Sequence, residues 1–508
     1  MRGPHNIWRL IRTGATFERT GAMRLALEAL NAPRHIRLAA RILGWPFAWL
    51  GVKGDPNQPP VSRALTALGP AYIKFGQIMS TRPDVVGDAL ADELKMLQDD
   101  LPPFATKLAR EEVARELGDP VEVLFSEFSE PIAAASLAQV HQARLRDTGQ
   151  KVAVKVLRPG IERAFWRDVD AFHLAAWLIQ VLAPRARRLK PLDVIAHFQS
   201  VVEGELDLRT EAAAAAEFRA NTLEDEGFAV PEVIWAQSAR RVLTLEWAEG
   251  VKFGDVQRLA GSGANLTELS ERVMQQFLKV ALRDGFFHGD MHQGNLKLAP
   301  NGDVIALDFG IMGRIDAYTR RVYAEIIFGF LRKDYRRVAE VHFEAGYVPA
   351  DQDVDAFAQA LRSVAEPIFG QDSTRISMAR LLGHLFDVTE RFGMETRTEL
   401  ILLQRTMVVV EGVARSLNPA MNMWEVAQPV VEHYIRSHIG PRAVARDLAR
   451  TVQVLSRFGP LLPGMAERAL VRANRPPARS APQGLPWWVW MLTGAGLLGG
   501  ITTVVGVF

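Results

Sequence analysis

His288-Gly289-Asp290-Met291-His292-Gln293-Gly294-Asn295, followed by Asp308-Phe309-Gly310, is the stretch that decides how the rest of this chain is read. Between the two halves lie Leu296-Lys297-Leu298, then Asn301-Gly302, then Val304-Ile305-Ala306-Leu307. Asn-Gly between two short apolar runs is the strongest local signal for a β-hairpin. Such a hairpin brings Asn295 and Asp308 to the same end of a sheet, as a shared metal requires. An acid, an asparagine five positions later and a second acid before Phe-Gly make a metal–phosphate arrangement. In kinase-type phosphoryl transfer the first acid orients the attacking oxygen, while the asparagine and the second acid hold Mg²⁺ against the nucleotide phosphates. Asp290 is thus the candidate catalytic residue, and Asn295 and Asp308 are the candidate metal ligands. His288 and His292 are expected to shape this loop by hydrogen bonds, since two histidines without a third ligand make a poor zinc site.

Upstream, Val152-Ala153-Val154-Lys155-Val156-Leu157 predicts a strand with the three valines on one face and Lys155 on the other. A lysine in an apolar strand is costly unless an anion neutralises it. Nucleotide phosphates and a helix glutamate supply that anion in phosphate-transfer strands of this pattern. Spacing alone does not choose that acid from Glu203, Glu205, Asp207 and Glu211, which lie in a helical stretch over 161–222. The loop before the strand pair is Ala133-Ala134-Ala135-Ser136 where glycines would let the backbone close on phosphates. Alanine restricts positive φ, so this cover is stiffer and its preference among nucleotides or bound states is expected to change. Further strands are expected over 229–235 and 241–247. The link Ala248-Glu249-Gly250 stands where a hinge would hydrogen-bond the adenine. A helix is expected from Leu266 to Arg283, ended by Gly285, and nearly all of 316–460 is expected to be helical.

The 508 residues, 48% hydrophobic and 23% charged, suit a globular protein of two or three domains. A net charge of +2 argues against nucleic-acid binding, and the absence of cysteine excludes disulfides and thiolate chemistry. The N-terminus, Met1-Arg2-Gly3-Pro4-His5, lacks the apolar run of a signal peptide. Residues 487–508 carry no charge and, at about 1.5 Å per residue, are long enough to span a membrane core of about 30 Å. Trp487, Trp488 and Trp490 mark an interfacial edge, and Arg468, Arg472, Arg475 and Arg479 place the body on the cytoplasmic side. A buried C-terminal helix is the alternative. The Gly494-Ala-Gly496-Leu-Leu-Gly499 run formally matches a dinucleotide fingerprint, but it follows no soluble strand. Small residues packing a membrane helix account for it.

Residues 1–60 are basic and partly amphipathic, either a surface helix pair or a helix lying on an anionic membrane. Leu65, Leu68, Tyr72, Phe75 and Met79 predict one apolar helical stripe ending before Pro83. Lys74 and Gln77, three apart, face the same way on it. The segments expected are therefore 1–60, a helical extension 61–130, an N-lobe 131–249, a helical C-lobe 250–460, a basic linker 461–486 and the span 487–508.

Together these motifs closely resemble the UbiB family of atypical kinase-like proteins over roughly residues 60–420, with the C-terminal segment resembling its bacterial, membrane-anchored branch. They are Lys74-Phe75-Gly76-Gln77, the alanine loop 133–136, Lys155, Glu205-Leu206-Asp207, Asp290 with Asn295, and Asp308. The resemblance implies an α+β, two-lobed protein-kinase-like fold with an N-terminal helical extension and a C-terminal transmembrane helix. It implies an ATPase that binds ATP and Mg²⁺ and supports ubiquinone biosynthesis, rather than a protein kinase. Glu211 then resembles the partner of Lys155. Lys74, Gly76, Gln77, Glu205 and Asp207 resemble an inhibitory cover across the cleft. Implied partners are quinone-precursor lipids, an anionic membrane and other ubiquinone-biosynthesis proteins. The implied location is the bacterial inner membrane, with a single-pass C-terminal anchor. The family has also been labelled a 2-polyprenylphenol hydroxylase, but this chain shows neither a usable flavin fingerprint nor an iron triad. A nucleotide-gated lipid-binding scaffold and a small-molecule kinase are the other readings.

Overall fold

The structure is a computed structural model that describes residues 5–29, 38, 45–80, 86–95, 97, 102–182, 190–369, 388, 391–394 and 398–438. The chain divides into a compact unit, Met1–Arg436, and a second unit, Ser437–Phe508. The linker and membrane segments expected over 461–508 lie outside the described residues. No described helix is long and apolar enough to cross a membrane.

The first unit begins with helices α1 (His5–Thr20) and α2 (Ala22–Ala29), a 3-10 turn Trp45–Leu50, and α3 (Pro60–Leu68), α4 (Pro70–Ser80) and α5 (Asp88–Lys95). The single helix expected through Leu65–Met79 is in fact two. Gly69 takes φ +113°, and Pro70 opens α4 without an N–H to continue the ladder. The apolar stripe survives the break. Leu65, Tyr72 and Met79 all enter one core with Phe165, Phe172 and Phe198. Those phenylalanines come from α7 (Ile161–Leu182) and α8 (Pro191–Glu205), introduced below, and Tyr72 meets Phe172 edge-on at 4.7 Å between ring centroids.

Helix α6 (Thr106–Leu117) leads to an antiparallel sheet ordered β1 (Phe125–Ala134), β2 (Ala138–Leu145), β3 (Lys151–Leu157) and β5 (Val242–Glu246). Val152, Val154 and Val156 are fully buried against Ala109 and Val113 of α6, as the alternating pattern requires. Strand β1 starts before the expected boundary at 131. It is an edge strand with register shifts on both sides of Pro131, so its polar residues face water and its proline costs no central ladder bond.

After β3 come α7, α8 and α9 (Leu208–Thr222), then β4 (Phe228–Ala229). The strand expected over 229–235 is not formed. Pro231 interrupts the ladder, and the chain keeps one bridge, Val233 to Leu245, before a 3-10 turn at Trp235–Gln237. Beyond β5 lie β6 (Val251–Lys252), α10 (Val256–Gly261), α11 (Leu266–Arg283), β7 (Phe286–His288), β8 (Leu296–Leu298), β9 (Val304–Ala306) and β10 (Met312–Arg314). Helix α11 spans the expected residues; Asn265 caps it by accepting from Thr267 N and Glu268 N. Helices α12 (Ala317–Leu331), α13 (Tyr335–Glu344), α14 (Val354–Phe369), α15 (Thr398–Leu417) and α16 (Met423–His438) complete the described fold. Helix α15 packs along α11 and reaches β10.

Candidate functional site

The hairpin read from Asn301-Gly302 is present: Leu296, Lys297 and Leu298 pair antiparallel with Ala306, Ile305 and Val304. Gly302 turns at φ +91°, which glycine adopts without a Cβ penalty. At the open end Leu307 N donates to Asn295 O at 2.8 Å, so Asn295 and Asp308 do arrive together. Asp308 itself sits at φ +57°, a left-handed conformation that costs a non-glycine residue about 1 kcal/mol or more. Its Oδ1 accepts from Gly310 N at 3.2 Å, which helps hold that conformation.

The loop carrying Asp290 is fixed from several directions. Its backbone N–H donates to His288 Nδ1 at 3.1 Å, while His288 Nε2 lies 3.0 Å from Leu307 O. The imidazole must therefore donate through Nε2 and accept at Nδ1, which makes it neutral. Burial agrees, pulling its pKa below the ordinary histidine value. His288 thus ties the Asp290 loop to Leu307, which leads from β9 into Asp308. Asn295 Nδ2 donates to Asp290 O at 3.0 Å, and Gly289 N donates to Ile311 O at 2.8 Å. His292 Nδ1 accepts from Gly294 N at 2.9 Å. Both histidines therefore serve the loop's shape, as expected.

Across the cleft Lys155 Nζ donates to both oxygens of Glu211 at 2.8 Å and lies 3.5 Å from Asp308 Oδ1. The structure thus picks Glu211 from the candidate acids. Burial works against the charge on Lys155, but Asp308 and Glu211 outweigh it and hold its pKa well above the lysine range. Lys155 in turn keeps Asp308 below the usual carboxylate range, with a smaller contribution from Lys74. Glu211 is pushed upward by its own burial, against the pull of Lys155. The outcome at neutral pH is an ammonium shared by two acids, one of them facing the cleft.

The expected cover is assembled only in part. Lys74 pairs with Glu205 at 2.7 Å, both side chains mostly buried. Gly76 lies where a Cβ would run into Leu65, Leu94 and Leu97, so only glycine lets α4 pack this closely. Gln77, however, turns into the extension, with Nε2 3.5 Å from Leu97 O. Asp207 caps α9 through Arg209 N and also pairs with the Arg209 guanidinium at 2.6 Å. These bonds are those of a helix cap.

The alanine segment is the β1–β2 hairpin. Ala133 and Ala134 pair with Val140 and Gln139, Ala135 N donates to Ala138 O at 2.7 Å, and Ser136 is buried in the turn. Arg158 fastens this hairpin from below: its N donates to Leu137 O at 2.8 Å, and its guanidinium reaches Pro102 O at 3.1 Å and Ala135 O at 3.5 Å. Sequence reading missed Arg158, and it missed Thr406, whose Oγ1 donates to Gly289 O at 3.0 Å in a buried bond. Arg405 beside it lies within Coulombic reach of Asp290. Distance along the chain hid both.

The donor set fits Mg²⁺ bound with a nucleotide. The ion takes hard oxygens and keeps ligands from phosphate and water, so one carboxylate and one amide oxygen suffice. Asp308 is ionised, and Asn295 spends its amide nitrogen on Asp290 O, leaving its oxygen for a cation. Among the described residues no cluster of three or more histidines and acids forms an all-protein metal cage.

Known proteins resemble this chain over most of its length. Residues 96–342 match the ABC1 atypical kinase-like domain, and residues 361–422 match the UbiB helical domain. A protein of Vibrio parahaemolyticus named probable protein kinase UbiB is 42% identical over 401 residues, covering 77% of this chain and 74% of that one. Its namesake in Marinobacter nauticus is 39% identical over 426 residues, covering 82% and 78%. One from Aeromonas salmonicida is 38% identical over 445 residues, covering 85% and 80%. Among solved structures, a Mycobacterium tuberculosis protein in complex with erythromycin is similar, with a TM-score of 0.50 and 25% identity over 70% of this chain and 90% of that one.

Proposed function

This chain belongs to the UbiB family of ABC1 atypical kinase-like proteins, and on that premise we propose that it is a Mg²⁺-dependent ATPase supporting ubiquinone biosynthesis at a membrane. The observation that carries the proposal is Lys155 held between Glu211 and Asp308, opposite a loop that presents Asp290 and Asn295. These are the groups that phosphoryl transfer needs. Lys155 would turn to the nucleotide phosphates, and Asp290 would orient the attacking oxygen. Asn295 and Asp308 would hold Mg²⁺, which when bound neutralises charge on the phosphates.

The acceptor is the finer point. Lys74 and Glu205 place a buried ion pair beside the cleft, which favours a small acceptor over a protein substrate. Water or a phenolic quinone precursor fits that restriction. Membrane association draws support from α1 and the following 3-10 turn, where Ile7, Trp8 and Trp49 stay more than half exposed among arginines. An anchor at 487–508, a cytoplasmic body, an inner-membrane location and contacts with other ubiquinone-biosynthesis proteins belong to the same proposal. The Lys74–Glu205 pair also favours a second reading, a nucleotide-gated lipid-binding scaffold in which occupancy sets conformation and turnover is incidental.

ATP turnover by the full chain decides between them. Asp290→Asn should lower the rate about 10²- to 10⁴-fold, the range for loss of an acid–base group, and chelating Mg²⁺ should abolish it. Hydrolysis at the wild-type rate by Asp290→Asn contradicts the ATPase. In-cell function that survives the same change supports the scaffold.

A further inference from the structure

Helix α15 meets the Asp290 loop along one strip. Thr406 Oγ1 donates to Gly289 O at 3.0 Å, and Leu402, one turn earlier, closes on the same glycine. A Cβ at Gly289 would lie 3.4 Å from Leu402 Cδ1 and 3.0 Å from Ile311 Cγ2, so the loop, α15 and Ile311 meet at this point. Leu403 and Thr406 are fully buried, which fixes the rotation of the helix about its axis. Arg405 and Ile401 stand beside the strip, four residues apart and so one above the other on the helix surface. The rotation that buries Thr406 also brings Arg405 within Coulombic reach of Asp290.

Arg405 has no visible task in holding the fold. Among the described residues it makes neither a hydrogen bond nor an ion pair. Its side chain is exposed, yet the protein around it pulls its pKa below the ordinary arginine value, against the pull of Asp290. A cation that water reaches while protein surrounds it stands in the wall of a recess and not on an outer face. It stays charged, because a guanidinium does not deprotonate in a protein, and its five N–H donors are all open.

Two apolar side chains belong to the same contact. Ile311 and Ile401 keep 40% and 39% of their surface exposed, one from the segment after Phe309-Gly310 and the other from α15. Singly such residues need no explanation, but two of them beside an open guanidinium make a surface that is apolar and cationic at once. That combination suits an amphiphile. A planar guanidinium matches a carboxylate through two parallel N–H···O bonds. One cation next to an acid also suits a single negative charge better than the two of a phosphate monoester.

We propose that Arg405, Ile311 and Ile401 form a binding subsite on the acceptor side of Asp290 for an amphiphile that carries a carboxylate on an apolar body. The guanidinium takes the carboxylate, and the two isoleucines take the apolar part. The proposal rests on the reading of Asp290 as the residue that orients the acceptor, and it names the class of molecule that reaches it. Thr406 positions Arg405 by seating α15 on Gly289.

The test is equilibrium binding of the full chain at neutral pH to 4-pentylbenzoate, to 4-pentylbenzamide, which has nearly the same shape without the charge, and to benzoate, which lacks the tail. Mg²⁺–ATP binding is measured alongside. Wild type should bind 4-pentylbenzoate about tenfold or more tightly than the amide and about tenfold more tightly than benzoate. Arg405→Met should bring the acid and the amide within about twofold of each other. Ile401→Ser should narrow the gap between 4-pentylbenzoate and benzoate about threefold. Wild type that binds acid and amide alike, or Arg405→Met that keeps the preference, overturns the proposal. So does Arg405→Met that loses Mg²⁺–ATP while keeping the preference, which gives the arginine to the nucleotide phosphates. Wild type that prefers the acid but binds no Mg²⁺–ATP sinks the ATPase and leaves the subsite standing. The three ligands are compared on wild type, so the proposal is decided even where Arg405→Met does not fold.

Discussion

The hairpin 295–308 and the helix that carries Lys74 face the same cleft, but different forces hold them. The hairpin is pinned by backbone hydrogen bonds, by fully buried Leu296, Val304 and Ala306, and by the His288 bridge from Asp290 to Leu307. The cover is held by the aromatic core that Tyr72 and Phe75 share with Phe172 and Phe198, by leucines closing around Gly76, and at the site itself by the ion pair of Lys74 with Glu205. Many small cooperative contacts give a rigid geometry, which metal and phosphate positioning requires. The ion pair of Lys74 with Glu205, of modest net worth, gives an adjustable contact at the site, which suits a cover.

The largest expected effect is on the charged centre that both regions share. Lys155→Met strands Glu211 in a buried site beside Asp308, and should cost about 3 kcal/mol of stability by denaturant unfolding. Nucleotide binding should be lost with it. Retained stability and binding would mean that the trio does not organise the cleft.

Next comes the hairpin's footing. His288→Phe removes a donor to Leu307 O and the acceptor for Asp290 N, and should cost about 2 kcal/mol. It also gives a pH signature. His288 stays neutral in the folded protein because burial lowers its pKa, whereas the unfolded chain takes up a proton below about pH 6.5. The unfolded state then binds more protons, so wild-type stability should hold above that pH and fall as the pH drops towards the depressed value. His288→Phe should show a shallower loss between about pH 6.5 and 5. Equal slopes in the two proteins would remove His288 from the account.

The cover should respond more weakly. Gly76→Ala pushes a methyl group towards Leu65, Leu94 and Leu97 and should cost about 1–2 kcal/mol. Lys74→Met takes away the ammonium that Glu205 meets at 2.7 Å and, by freeing the cover, should speed nucleotide release about threefold or more in stopped flow. A stability loss from Lys74→Met as large as that from Lys155→Met would erase the distinction between rigid site and adjustable cover.

What could be read from sequence followed the same division. The hairpin is local: Asn301-Gly302, the alternation on both sides and the spacing of Asn295 and Asp308 are all short-range signals. So is β3, where the buried valines and the opposing Lys155 follow from a period of two. Glu211 was not local. By spacing several helical acids competed; the family resemblance pointed to Glu211, and the packing of α9 against the sheet brings it to Lys155. Gly69-Pro70 splits a helix whose apolar stripe reads as continuous, because the stripe records burial and not backbone continuity. Pro231 likewise removes most of a strand that its apolar neighbours suggest. Gln77 and Asp207 turn to local bonds, with Leu97 O and with Arg209. Arg158 and Thr406 reach the site from distant positions, and no pattern around either residue announces that.

The central claim, a Mg²⁺–nucleotide site built on Asn295 and Asp308, is tested most directly by metal binding. Mn²⁺ substituted for Mg²⁺ can be counted by electron paramagnetic resonance on the full chain, with and without ADP. Wild type should hold Mn²⁺ only when nucleotide is present, Asp308→Asn should fail to hold it, and Lys74→Met should hold it as wild type does. Mn²⁺ bound equally well by Asp308→Asn, or bound without regard to nucleotide, would contradict the account.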